Sequence, residues 1–65
     1  MEEISTIRFK DLESGDNGVV IIRARKGILG LALSLEKDGD LEVFFTPTDC
    51  QLVTEGLQKA LAKAL

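Results

Sequence analysis

The stretch that decides the fold is ILGLALSLE, residues 28–36, in which leucine occupies every second position from Leu29 to Leu35. Successive side chains of a β-strand point to opposite faces of its sheet, so this alternation predicts a strand with one apolar face. We call the face to which these leucines point the inner face and the opposite one the outer face. The residues that alternate with the leucines on the outer face are small: Gly30, Ala32 and Ser34.

Three further segments alternate with the same period of two, at residues 6–12, 19–26 and 40–45. Charged side chains are rarely buried, and this sets the inner side of each segment. The inward residues are Ile7 and Phe9, then Val20, Ile22 and Ala24, then Leu41, Val43 and Phe45. The outward residues are Arg8 and Lys10, then Val19, Ile21, Arg23 and Arg25, then Glu42 and Phe44.

The connections between these segments predict how the strands pair. Pairing Arg25 with Ile28 leaves a two-residue loop ending in glycine, which supplies a positive φ. Pairing Glu36 with Asp40 leaves a three-residue loop with Gly39 at its left-handed position. Both pairings keep the apolar side chains on one face, so the sequence predicts an antiparallel meander.

The remaining segment has a helical period. Thr46 suits an N-cap, Pro47 the first helical position, and Asp49 a capping box. Apolar side chains then recur at steps of three and four, widened by two further leucines: Cys50, Val53, Leu57, Ala60, Leu61 and Ala64, with Leu52 and Leu65. The predicted fold class is α+β: a four-stranded antiparallel β-meander, then one C-terminal α-helix packed on one face, as a single domain over residues 1–65.

The widths of these elements predict a homodimer. Four strands make a sheet roughly 19 Å wide, whereas a helix with its side chains is about 10–12 Å across. One helix therefore leaves part of the inner face uncovered. Either the N-terminal residues fold over the edge or a second copy covers the remainder, and the wide apolar surface of the helix favours the second copy. The expected dimer interface consists of Leu52, Val53, Leu57, Leu61 and Leu65.

The composition excludes several functional classes. The chain has 65 residues with 8 basic and 11 acidic side chains, a net charge of -3, no His and one Cys. Internal disulfides, zinc sites built from Cys and His, and His-based nucleophile pairs are all excluded. We therefore expect no enzyme, no catalytic residues, no metal and no cofactor. Cys50, in the first helical turn, is either a reactive thiol or a small apolar packing residue, and its spacing favours packing.

The start of the sequence and its hydropathy predict a cytoplasmic protein that does not enter a membrane. Met1-Glu2-Glu3 is acidic, where a signal peptide carries positive charge. The longest nearly apolar run, residues 28–35, is far shorter than the ~20 residues of a membrane-spanning helix.

The basic side chains of the outer face predict a second kind of site. A basic sheet face with an exposed aromatic ring can follow a phosphate backbone and stack a base. The residues in question are Arg8, Lys10, Arg23, Arg25 and Phe44. Against this, an isoelectric point near 4.7 disfavours nucleic acid, whose binding depends on neutralising phosphates.

The layout also resembles a known family. Four strands leading into a helix at Thr46-Pro47, with the basic residues Arg23, Arg25 and Lys26 in the second strand, are similar to positive-cofactor-four-type transcriptional coactivator domains. This resemblance implies a homodimer that binds single-stranded DNA across its sheets. The family's DNA-binding face is more basic and more aromatic than this chain.

Three functions follow from these patterns. The leading hypothesis is a small, non-enzymatic, homodimeric interaction or regulatory module. The alternative is a transcriptional regulator that binds single-stranded nucleic acid through the basic outer face. The third is an accessory subunit of another protein, which would cover Val19, Ile21 and Phe44.

Overall fold

The computed structural model describes residues 1–65 and contains one sheet and one helix. The elements are β1 (Glu2–Lys10), β2 (Asn17–Arg25), β3 (Ile28–Leu35), β4 (Gly39–Phe45) and α1 (Pro47–Ala64). The strands follow the order β1-β2-β3-β4, and each is antiparallel to its neighbour. The predicted α+β layout, a four-stranded meander followed by one helix, is confirmed.

The first strand differs from its predicted bounds at both ends. It begins at Glu2 rather than Thr6, because pairing with β2 continues past an irregularity between Glu3 and Ser5. It ends at Lys10, because Asp11 starts a turn. The Asp11 carbonyl accepts from the Gly15 N–H at 2.8 Å, so the backbone has already left the sheet at this point.

The pairing of β2 with β3 is the predicted one. Arg25 lies opposite Ile28, and Ile22 lies opposite Leu31. Gly27 in the connecting loop has a φ of 84°, a left-handed conformation that favours glycine. The leucines of β3 therefore share the inner face with the apolar side chains of β2, as predicted.

The predicted pairing of β3 with β4 is wrong by two residues. Asp40 lies opposite Ser34 rather than Glu36, and the loop consists of residues 36–38. In the observed register Leu29 lies opposite Phe45. The predicted register would put Leu29 opposite Pro47, which has no N–H for the ladder and already belongs to the helix. Ser34 also donates a hydrogen bond to the Asp40 carboxylate in this register.

The helix begins where the sequence predicts. Thr46 is the N-cap, with extended backbone, and its Oγ1 accepts from the Asp49 N–H at 3.1 Å. Pro47 occupies the first turn, where a missing N–H costs no intrahelical bond. From this start α1 approaches only β3 and β4. The only helix in the chain is not apolar enough to cross a membrane.

Candidate interaction surfaces

The helix covers one end of the inner face and leaves the other end open. Its first half lies over β3 and β4, where Cys50, Val53 and Leu57 face Leu31 and Phe45. Helix and sheet together enclose a mostly apolar gap of about 120 Å³. The contact is loose, since no residue of α1 is buried.

Away from the gap under the helix, a cross-strand row of apolar side chains is exposed on three of the strands and partly exposed on β2. The row has one residue from each strand, and each residue is paired with the next across neighbouring strands: Ile7, Val20, Leu33 and Leu41. We call these four residues the open row. Ile7 is 50% exposed and Leu41 63% exposed, although both point to the inner face. Apolar side chains aligned in this way form a candidate interaction surface.

The predicted dimer-interface residues divide between two sides of α1. Val53, Leu57 and Leu61 follow one another at four-residue steps and form one side, which we call the helix stripe. Leu52 lies nine residues before Leu61, about two and a half turns, and therefore on the opposite side. Leu65 follows the last helical residue and is almost fully exposed. Leu61 is 59% exposed.

The chain exposes more accessible surface than a compact monomer of the same mass. The isolated chain exposes 5316 Å². A compact monomer of 7.1 kDa exposes ~4,100 Å². The difference, about 1,200 Å², exceeds the ~800 Å² that each partner buries in a standard protein–protein interface. No apolar side chain of the isolated chain is fully buried, so the excess exposed surface is large for a chain with so little buried apolar area.

The outer face brings the predicted basic residues together only in part. Arg8 and Lys10 lie on the edge strand β1, and Arg23 and Arg25 on β2. Arg23 is engaged within the chain, since its Nη1 lies 2.6 Å from Oε2 of Glu42 on β4. The basic character of the face is therefore concentrated on β1 and at the Arg25 end of β2.

Phe44 lies on the same face but covers a backbone rather than standing free. It is directly opposite Gly30, and a side chain at Gly30 would contact the Phe44 ring at 3.3 Å. The Met1 methyl group approaches the same point at 3.5 Å. Gly30 is consequently buried, while the Phe44 ring remains 60% exposed on its other side.

The half of this face along β4 is acidic. Glu42 and Asp40 point outward from β4, which forms the other edge of the sheet from β1. They flank a shallow groove of about 530 Å³ whose floor includes Val19, Ile21 and Ala32. The alternation of β4 already placed Glu42 outward, but only the observed register brings it within reach of Arg23.

The turn between β1 and β2 holds the one buried charged side chain, Asp16. Lys37 Nζ lies 3.7 Å from Asp16 Oδ1, and this cation is itself exposed. In the same turn, Asp11 Oδ2 accepts from the N–H and the hydroxyl of Ser14, at 3.0 and 2.6 Å. These hydrogen bonds hold the pKa of the Asp11 carboxyl below its ordinary value of 3.8.

The cysteine and the absence of metal ligands were two further subjects of the sequence predictions. Cys50 is a free, partly exposed cysteine in the first helical turn, beside the apolar gap. Nowhere do three or more Asp, Glu or Cys side chains form a group that could hold a metal ion.

Comparison with protein-family models, with curated proteins and with solved structures finds no match for this chain. The resemblance to the positive-cofactor-four-type domains thus rests on layout and remains a prediction. What the chain does has to be argued from its own surfaces.

Proposed function

We propose that this chain is a small, non-enzymatic interaction or regulatory module that works as a homodimer in the cytoplasm. The observation that carries the proposal is the absence of any fully buried apolar side chain in the isolated chain. A chain of this length is marginally stable even with a good core. A second copy of the same surface is the simplest source of the missing burial, because most oligomers of soluble proteins are symmetric pairs.

The two exposed apolar surfaces of one copy fit each other on a second copy. The helix stripe is exposed at all three of its residues, and Ile7, Leu33 and Leu41 of the open row are at least 40% exposed. In a two-fold pair, the second half of each helix covers the open row of the other copy. Each chain would then bury both its helix stripe and its open row against the other copy, since each surface occurs twice in the pair. Burial of these two surfaces would account for the surface that the isolated chain exposes in excess of a compact monomer.

The absence of catalysis is proposed from residue chemistry. Without His, the chain lacks the usual general base near neutral pH. Its two concave regions are the apolar gap under the helix and the shallow outer groove. A single cysteine and no possible internal disulfide fit a reducing compartment such as the cytoplasm.

A matched pair of helix variants tests the homodimer. Leu61→Asp and Lys59→Asp both introduce aspartate into the same turn, so they share its helix-propensity cost. Lys59 lies two residues from Leu61 and therefore on the opposite side of α1. Burial of one leucine stabilises by about 1.5–3 kcal/mol, and each dimer contains two copies. We expect Leu61→Asp to weaken dimerisation by at least about a hundredfold.

The control should keep the native mass in sedimentation equilibrium and nearly the native unfolding midpoint. In an isolated monomer Leu61 is an exposed residue, and its change to Asp would then cost no more than the control does. Equal behaviour of the two variants would refute the homodimer.

The alternative function, binding of single-stranded nucleic acid, is favoured by one observation: the exposed Phe44 ring shares a face with Arg8 and Arg25. Stacking on such a ring and contacts from these cations to phosphates are the usual means of single-strand binding. The Arg23–Glu42 ion pair and the net charge of -3 oppose it. We therefore rank it second.

A further inference from the structure

The outer face carries charges of opposite sign on its two edge strands. On β1, Arg8 and Lys10 are basic, while Glu3 near the start of the strand accepts a hydrogen bond from Thr6; on β4, Asp40 and Glu42 are acidic. Between them lie Val19, Ile21 and Ala32, the apolar floor of the shallow groove. Arg23, on β2, forms an ion pair with Glu42 on the acidic strand β4. A flat face with this order, basic then apolar then acidic, is complementary to itself.

We propose that a second copy of the chain docks on this outer face, with β1 of each copy over β4 of the other. A two-fold axis lying between the sheets and nearly parallel to the strands produces this arrangement. An axis perpendicular to the strands would instead put β1 over β1 and β4 over β4, so that the strands carrying Asp40 and Glu42 would face each other. The first arrangement places the acidic strand over the strand that carries Arg8 and Lys10, and like charges facing each other across an interface are unfavourable.

The observed register specifies the contacts of this arrangement. Arg8, Val19, Ser34 and Asp40 lie opposite one another in one cross-strand row. Reversing the row in a second copy places Arg8 over Asp40 and Val19 over Ser34. In the adjacent row Ile21 lies beside Ala32, so the reversed row places a large side chain over a small one. Stacked sheets pack about 10 Å apart through such interdigitation.

The size of the face predicts a weak, salt-dependent contact. Four strands of about eight residues cover ~500 Å² per copy, or ~1,000 Å² for the pair. Interfaces of this size are typical of weak or transient association. The outer face is distinct from the open row and the helix stripe. The contact therefore goes beyond the proposed homodimer, and only its stoichiometry rests on it: each dimer exposes two outer faces, so dimers joined through these faces make tetramers and then longer stacks.

The experiment is sedimentation equilibrium of the full chain at protein concentrations up to about 1 mM. It is run at ionic strengths of about 0.01 M and about 1 M, because the electrostatic screening length falls from about 30 Å to about 3 Å between them. At low ionic strength we expect an average mass that rises with protein concentration to four times 7.1 kDa or more, and at high ionic strength a mass of twice 7.1 kDa. A wild-type mass that stays at or below twice 7.1 kDa at low ionic strength, with Leu61→Asp still dissociating the pair, overturns this proposal and leaves the homodimer standing.

Charge variants identify the face. Arg8→Glu and Asp40→Lys should each weaken tetramer formation by about tenfold or more while leaving the dimer intact. The exchange variant carrying both changes should restore it, because each ion pair is then reversed. Lys63→Glu, the same change of charge on α1, is the control. Tetramers that are insensitive to Arg8→Glu, or an exchange variant no better than the single changes, would overturn the proposal.

Discussion

Arg23 on β2 and Glu42 on β4 form an ion pair of 2.6 Å that spans the width of β3. The two side chains can meet because Gly30, directly opposite Arg23, has no side chain and Ala32, opposite Glu42, has a small one. This pair removes one cation from the predicted nucleic-acid-binding set. It also brings the carboxylate of Glu42, on the edge strand β4, within 2.6 Å of a side chain of β2 on the outer face.

The Arg23–Glu42 pair predicts the outcome of a nucleic-acid binding experiment. We expect labelled single-stranded oligonucleotides not to bind at micromolar protein, even at low salt, because Asp40 and Glu42 share the face with the arginines. If the alternative function were correct, binding would weaken with salt, with a slope of about -0.7 per phosphate neutralised. Arg8→Ala would then flatten that slope, whereas Arg23→Ala would flatten it less because Glu42 already neutralises Arg23. Micromolar, salt-sensitive binding would reverse our ranking of the two functions.

The N-cap of α1 predicts a measurable loss of stability. Thr46→Ala removes the Oγ1 that accepts from the Asp49 N–H and should lower the free energy of unfolding by about 1 kcal/mol. Thr48→Ala, inside the first turn, is the matched control and should change the stability little. Urea unfolding at one fixed protein concentration measures both, since the midpoint of a dimer depends on concentration. Equal losses for the two variants would contradict the capping role of Thr46.

Two glycines predict opposite responses to alanine. A side chain at Gly18 would lie 2.5 Å from Phe9 Cζ and 2.9 Å from Leu35 Cδ2, so Gly18→Ala should destabilise the chain by about 1–3 kcal/mol. At Gly56 on α1 nothing lies within 4 Å, and alanine there should stabilise by about 0.5–1 kcal/mol. Thermal unfolding compares them directly. A destabilising Gly56→Ala would show instead that a second copy approaches α1 on that side.

Asp11 predicts a pH effect confined to acid. Its pKa is lowered by the Ser14 hydroxyl and then by the Ser14 N–H, so the folded turn favours the charged carboxylate. The resulting stabilisation is present above the ordinary pKa of 3.8 and is lost as the pH falls through the lowered pKa. In a carboxyl NMR titration, Ser14→Ala should raise the pKa of Asp11 toward 3.8, whereas Ser5→Ala should not. An unchanged Asp11 pKa in Ser14→Ala would contradict this cause.

The face of each strand residue followed from the sequence, but one register did not. A slip of one residue moves every side chain to the other face, whereas a slip of two moves none. The hydrophobic pattern therefore could not distinguish Asp40 opposite Glu36 from Asp40 opposite Ser34. The deciding facts were the position of Pro47, which cannot take part in the ladder opposite Leu29, and the polar pair of Ser34 with Asp40.

The path of the helix was also beyond the sequence. Its start at Thr46 and its apolar stripe were predictable, because capping and period are local properties. How far α1 crosses the sheet depends on the angle at which the chain leaves Phe45, and on what else packs there. The Arg23–Glu42 ion pair was beyond the sequence for a related reason: alternation places both residues outward, but the distance between them depends on the register of β3 with β4.

The most direct test of the account is the mass of the native chain in sedimentation equilibrium at micromolar concentration and high ionic strength. Under these conditions the outer-face contact is screened, and only the pairing through the open row and the helix stripe remains. The account predicts a mass close to twice 7.1 kDa for folded protein. A stable, folded species of 7.1 kDa would contradict it, because a chain with no fully buried apolar side chain would then be stable alone.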